Sequence, residues 1–527
     1  ESAGTYAQAA GTFNEFVNSD KLSMILTGNT ERSDRGLDPP TFVPDHDNTN
    51  QSDEFLRLTQ APDSRDTISF DFVNQFSGFE IPIDTNQDDP LDPQWSVPGT
   101  DDNQLEFYRS ANLVFNRESA DGNGYFEISP WYRSNRIIYT PDPVLDLESE
   151  AGASTSQNRL GVYDGLTTSY FRSDGDNNIK FGLTGDVENF TSAFEIQAVG
   201  VAPFFDNPSK RGTSLGIYGE DQYTASSNVT VDYGLRYDRS TGFVDGNQVE
   251  PRIEVDDKVT SRDTFHVYYG RLYAAPSLED VRRAAVVLSG PSPSPSPSSS
   301  PTPAPLPVYD LKPETDSIYE AGIAHRFSDS MTGSLNFWGR DVWNVLDTTQ
   351  LGSTPIFTVY NSAQGLAEGL ELKLQGRPNY LDSWFLSYGL SQSLANGISG
   401  GTFLYSPAEL QGSQGWALED HDQTNTLDAA YEWGFGPSTR DYATFETLAG
   451  TGFPVQFENG SSRLTPHITF NADIGAKPPP SGGGFGWEIQ GTNLLNKQYL
   501  IKESNGFNTT QWAAGRQVIV TLSEAIR

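Results

Sequence analysis

Asp84, Asn86 and Asp88 alternate through the segment DTNQDDPLDP, and Asp174, Asp176 and Asn178 repeat that spacing in RSDGDNN. Oxygen-bearing side chains at every second position let a loop turn several ligands onto a hard cation such as calcium. Position twelve, where a bidentate Glu would close the shell, holds Trp95 after the first run and Gly185 after the second. Neither run is a complete EF-hand. Looser calcium sites in acidic loops remain open beside the plainer reading of solvated loops, and no other cofactor is expected. His421, flanked by Asp420 and Asp422 in EDHDQ, has two readings: a ligand for a metal or iron chelate, or a hydrogen-bonding turn residue.

Catalytic chemistry finds little else. The histidines His46, His266, His325, His421 and His467 are dispersed, and no HExxH pair, Walker loop or GxGxxG opening a helix occurs. With 70 acidic residues, close carboxylate pairs arise by chance, and a glycosidase dyad is not recognisable from spacing alone. No catalytic residue is nominated, and the chain is read as a non-enzyme. The balance of 70 acidic against 34 basic residues, net −36, repels phosphate backbones and argues against nucleic acid as a partner. Cysteine is absent, so there is no disulfide framework or thiolate metal site.

The elements that carry these residues are strands. In NVTVDYGLRYDRS (228–240), Val229, Val231, Tyr233, Leu235 and Tyr237 alternate with Thr230, Asp232, Gly234, Arg236 and Asp238. That is the period of a strand with one apolar and one wet face. DTISFDFVNQF, KLSMILTGN, HITFNADIGAK and RQVIVTLS repeat it. Helical spacing is rare, SLEDVRRAAVVL (277–288) being its clearest case. No apolar run reaches the 18 or so residues of a spanning helix, which excludes a helical membrane protein but not a β-barrel. Mean hydropathy is −0.50, and 12% of residues are aromatic, as suits strands and barrel interfaces. The first residues carry no basic and apolar secretory leader.

Connections come in two sizes. Tight ones are RFSDSMTG (326–333), GRPNYLDS (376–383) and DKVTSRD (257–263); long ones, rich in Asp, Asn, Gly and Pro, are 31–54, 82–104, 140–160, 272–312 and 434–463. Short turns at one end and long loops at the other are how outer-membrane barrels are built. A soluble sandwich would bury apolar inner faces between two sheets, whereas here the wet faces are polar throughout. The fold class read from this is all-β, a large antiparallel transmembrane barrel of about 22 strands at roughly 24 residues per strand and connection. The Pro/Ser-rich stretch 289–307 is an extended, polyproline-like segment, placed in an external loop of one 1–527 domain because strand style is unchanged on both sides.

Several phrases, in this order, resemble the barrel of a TonB-dependent outer-membrane receptor: VDYGLRYD (231–238), VYYGRLYAAPSLEDV (267–281), LKPETDSIYEAGIAHRF (311–327), YNSAQGLAEGLELKLQGRP (360–378), LEDHDQTNTLDAAYEW (418–433) and IQGTNLLNKQYL (489–500). RSDRGLDPP (32–40) and FEIPID (79–84) resemble a subgroup near the start of such barrels. The resemblance implies ligand capture by external loops and passage through the lumen, for a siderophore, vitamin, oligosaccharide or peptide. It also implies a setting in outer-membrane lipid and lipopolysaccharide, and energy through TonB if a plug is supplied. Two departures stand out: the family's N-terminal plug and TonB box are not in this sequence, so the plug is expected as a separate chain or elsewhere, and the last strand runs into SEAIR rather than an aromatic. Arg236 and Asp238 are the lumen ligand candidates, with a structural lumen network as the plainer role. A plugless pore or scaffold barrel and a secreted soluble β-rich adhesin or carbohydrate-active protein are the two competing readings.

Overall fold

Alternation becomes backbone geometry in a computed structural model that describes residues 8–19, 21–83, 96–150, 152–200, 202–281, 311–350, 357–400, 415–419, 422–436, 440–455, 462–479, 483–502 and 510–525. The chain opens with β1 (Gln8–Asn18), β2 (Leu22–Ser33), β3 (Thr49–Gln60), β4 (Asp66–Glu80), β5 (Asn103–Glu118) and β6 (Gly124–Thr140). A short helix α1 (Leu145–Glu148) precedes β7 (Ala153–Asp174), β8 (Asn177–Ala198), β9 (Phe204–Asp206), β10 (Ser209–Thr224), β11 (Val229–Thr241), β12 (Gly246–Asp257) and β13 (Asp263–Ala274). There follow β14 (Glu314–Ser328), β15 (Met331–Gln350), β16 (Phe357–Gly376), β17 (Ser383–Gly400), β18 (Trp416–Leu418) and β19 (Asn425–Phe435). The last are β20 (Asp441–Gly450), β21 (His467–Ala476), β22 (Gly484–Thr492), β23 (Leu500–Lys502), β24 (Gln511–Trp512) and β25 (Gln517–Ala525).

Twenty-three of these strands form one sheet, and every ladder in it is antiparallel between staves that follow one another along the chain. Two are short continuations of a neighbour: β9 extends the line of β10 along β8, and β18 extends that of β19 along β17. The sheet therefore has 21 staves, within one of the number read from chain length. Because 21 is odd, β1 and β25 run in the same direction, and among the described residues no ladder joins them. The ends are clasped instead by the β2–β3 loop. Arg35 donates from Nη2 to the Trp512 carbonyl at 2.5 Å, the Trp512 amide donates to the Pro39 carbonyl at 3.1 Å, and Phe42 meets the Trp512 ring edge-on.

The connections segregate as expected. The tight turns at 257–263, 326–333 and 376–383 all fall at one end, as does the two-residue Gly175–Asp176 turn, where Gly175 takes φ 61 at no steric cost. The β13–β14 ladder carries the sheet across the long connection that contains 289–307, a stretch outside the described residues. Pro313 ends the loop directly before β14, as a residue without a backbone donor should.

Three sequence expectations need correction. The span 434–463 is not one loop but holds β20, whose single large apolar outward residue, Phe445, gave a weak alternation between the Gly/Pro-rich flanks. Of the helical stretch 277–288, a 3-10 turn at Leu278–Asp280 is seen, and 282–288 lie outside the described residues. The ends of 31–54 and 140–160 belong to strands, because polar residues alternate on inward faces just as they do in loops.

The two faces differ sharply. Outward side chains such as Leu235, Val267, Phe265 and Phe337 are exposed and apolar. Inward positions carry Arg57 paired with Asp71, His266 with Glu320, and Arg340 with Glu314 and Asp316. Among the described residues no apolar core fills the middle of the molecule. The apolar cluster, Ile81, Tyr139, Phe194 and Ile196 with Leu37, Phe79 and Phe204 against it, gathers at the long-loop end.

Candidate functional site

The long-loop end is a packed mouth. β7 and β8, at 22 residues each, rise furthest, and their upper inward positions, including Thr155, Gln157, Tyr163, Phe190 and Phe194, are buried. Described parts of the β2–β3 and β4–β5 loops pack against them, Leu37 and Ile81 joining Tyr139, Phe194 and Ile196. His46, held at φ 55, contacts the Ile81 carbonyl through Nδ1 at 2.9 Å and Asp101 through Nε2 at 3.2 Å.

Three carboxyls are buried where these loops meet. The Tyr139 hydroxyl donates to Asp102 at 2.7 Å, as does the Asp142 amide. Ser154 donates to one oxygen of Asp146 at 2.7 Å, and the Asp102 carboxyl lies close enough to act on it electrostatically. Asp47 accepts from the Leu37 amide at 2.9 Å. Burial pushes Asp47 up to about 7, and burial together with the neighbouring Asp102 pushes Asp146 up to about 8. Asp102 is raised as well, again chiefly by burial.

Inside this rim the segment after β13 folds across the lumen. Leu278 is buried against Gly212 and Gly242. Asn135 donates to Glu279 at 2.6 Å, Arg159 pairs with Asp280 at 3.0 Å, and the Thr358 hydroxyl reaches the Asp280 carbonyl at 3.5 Å. One short turn thus ties β6 and β7 to β16 on another part of the wall. Burial, then the adjacent Asp280, raises the Glu279 carboxyl. Nothing in the sequence marks this segment as an inward strap; the acidic pair Glu279–Asp280 facing Arg159 is the only trace.

Below the mouth the wall is polar. The lumen candidates Arg236 and Asp238 lie on the inner face of β11 and pair with each other, Arg236 donating from Nη2 at 2.7 Å. Gly216 on β10 makes this possible, since a Cβ there would collide with both side chains. Arg252 pairs with Glu220, and His266 shares Glu320 with Asn336. The wall is a network of matched charges.

The cation candidates separate. Asp174 and Asp176 are exposed at the short-turn end, and Asn178 donates to Gln222 at 3.2 Å. Asp84, Asn86, Asp88, Asp420 and His421 lie outside the described residues, while Asp422 is buried against Arg463 at 2.5 Å. Among the described residues no three His, Cys, Asp or Glu side chains gather as a metal site. Two G-x-S-x-G spellings, 212–216 and 397–401, are not nucleophile elbows. Ser214 stands within β10, bonded to Asp186, and Ser399 stands within β17 rather than on a strand-to-helix turn.

Comparison with known proteins agrees with this geometry. A family model described as TonB dependent receptor-like, beta-barrel, matches residues 36–496. No curated protein matches the chain. Among solved structures, the copper transporter OprC has a TM-score of 0.70 at 12% identity, covering 99% of this chain and 79% of its own. The ferric yersiniabactin uptake receptor FyuA from Yersinia pestis gives 0.70 at 12%, covering 98% and 78%. The unliganded ferric citrate transporter FecA gives 0.70 at 13%, covering 98% and 75%. At these identities the likeness concerns the fold.

Two outcomes follow. A carboxyl whose pKa is raised in the packed state favours packing at low pH, and that advantage is lost as pH rises from about 4 through about 7 for Asp47 and about 8 for Asp146. A spin label at exposed Glu148 should therefore gain mobility across that window, and Asp146→Asn should flatten the response; equal mobility from acid to alkaline pH would contradict the buried pair. Separately, Gly216→Val should cost about 1–3 kcal/mol by overpacking the Arg236–Asp238 pair. Denaturant titration of the folded barrel in micelles measures it, and an unchanged midpoint would place that pair elsewhere.

Proposed function

The chain belongs to the TonB-dependent receptor β-barrel family, and from that footing we propose that it spans an outer membrane and captures a ligand at its loop-packed mouth for passage through the lumen. The observation that carries this is the partition of the wall: exposed Leu, Val and Phe outward, hydrogen-bonded charge inward, with loops packed over one end only. Such faces suit acyl chains outside and water inside. In water, an outward belt this apolar would be an aggregation liability, which weighs against a secreted adhesin. A plug, as a separate chain or another segment, and TonB would supply gating and energy.

The ligand is a small molecule or oligomer met by the loops. The names of similar structures mention copper, ferric yersiniabactin and ferric citrate. For this chain the surplus of 36 negative charges favours neutral or cationic cargo over polyanions.

Equilibrium binding of cupric ion, ferric citrate and a neutral oligosaccharide to the purified barrel in micelles, beside planar-bilayer conductance, separates the readings. Saturable binding of a neutral or cationic probe with little conductance is expected. Steady large conductance without saturable binding would make the chain a passive pore.

The outward assignment has its own check. Leu235, 55% exposed near the middle of β11, should tolerate arginine poorly. Leu235→Arg is expected to lose about 2–4 kcal/mol of folding stability in lipid vesicles. Assembly as efficient as the parent's would remove the lipid from that face.

A further inference from the structure

The outward face is not apolar everywhere. Glu54 on β3 stands directly opposite Asn74 on β4, and Asn74 opposite Arg109 on β5. Their side chains form a line: Asn74 donates from Nδ2 to Glu54 at 3.0 Å, and Arg109 donates from Nε to Asn74 Oδ1 at 3.0 Å. Glu54 and Arg109 are exposed. The rows below on the same face are Leu56, Phe72 and Ala111, then Leu58, Phe70 and Leu113; the row above is the Phe76–Phe107 ring pair, 5.4 Å apart. At the corresponding part of β11 and β12 the outward residues are Tyr233, Leu235, Pro251 and Ile253. A carboxylate and a guanidinium amid apolar rows are costly against acyl chains.

We propose that this face of β3–β5 is a contact between two copies of the chain. The proposal rests on the membrane reading above. The carrying observation is charge complementarity along one cross-strand row. Glu54 and Arg109 flank Asn74 two staves apart, about 10 Å. Staves of such barrels tilt by about 35–45°, so the ends of the row differ in depth by about 6 Å. A two-fold axis along the membrane normal through Asn74 exchanges those ends in the plane. Glu54 then faces the partner's Arg109, and Arg109 the partner's Glu54, across an offset that two long side chains span. Such an isologous pairing is the commonest oligomer symmetry. The flanking Leu56, Phe72, Phe76 and Phe107 supply apolar contact above and below, and pairing removes both charges from lipid.

The absence of cysteine makes the test clean. Asn74→Cys puts a single thiol on the axis, and Leu235→Cys provides a lipid-facing control on β11. Oxidation of the full chain in vesicles, with and without lipopolysaccharide, should give a disulfide dimer for the first variant and none for the second. In the Asn74→Cys background, Glu54→Arg or Arg109→Glu alone should lower the dimer yield about tenfold or more through like-charge repulsion, and the two swaps together should restore it. Folding of each variant is followed by heat-modifiable migration, and restoration by the double swap separates lost contact from lost fold. Three results overturn the proposal. The first is Asn74→Cys staying monomeric while a lipid-phase quencher reaches labels at both positions, which leaves the membrane reading intact. The second is shielding of Asn74 only when lipopolysaccharide is present, which gives the row to headgroups. The third is quencher reaching neither position, which removes the membrane reading as well.

Discussion

Everything in this molecule depends on the antiparallel ladder that bonds each stave between β2 and β22 to a neighbour on either side. Backbone groups bonded sideways leave side chains to point alternately in and out, so one sequence period writes two chemically opposite surfaces. A wall facing acyl chains tolerates no unpaired backbone, which is why a closed sheet is among the few structures that can cross a membrane without helices. The outward Leu235 and the inward Arg236 are adjacent in sequence and stand on opposite faces of the wall because of that ladder.

The mouth is built on a different rule. There the loops leave the ladder and must satisfy their polar groups by packing, and they do so with acids: Asp47 on a backbone amide, Asp102 on Tyr139 and Asp146 on Ser154. Taking carboxyls out of water holds their protons on, so the lid's packing and its charge are coupled. Lower down, where charges face the lumen, they are matched instead by Arg236, Arg252 and Arg340. The acidic surplus of the chain is thus partly silenced at the mouth and partly neutralised in the wall.

Much of this was legible in the residues, and the failures are physical. Tyr233 and Leu235 announced an outward face because large apolar side chains at every second position have no other use. β20 escaped because Phe445 stands nearly alone between flexible flanks. The acid runs at 84–89 and 174–178 share one spacing but not one reading: Asp174 and Asp176 flank Gly175 at a hairpin tip, while 84–89 lie outside the described residues. The family phrases were readable because turn chemistry and strand alternation together constrain them, as at Pro313 before β14.

By itself the sequence determined the fold class, the two faces of the staves, and the split between tight turns and long loops. All of these are local, written within a few residues of one another. Only the tertiary structure decided which loops meet. Asn135 finds Glu279 across 144 positions, and Arg35 reaches Trp512 across 477. It likewise decided that Glu54, Asn74 and Arg109 fall in one row, since register between staves depends on turn lengths that no single segment encodes. Alternation fixes which way a side chain points; the path of the chain around the cylinder fixes what it meets.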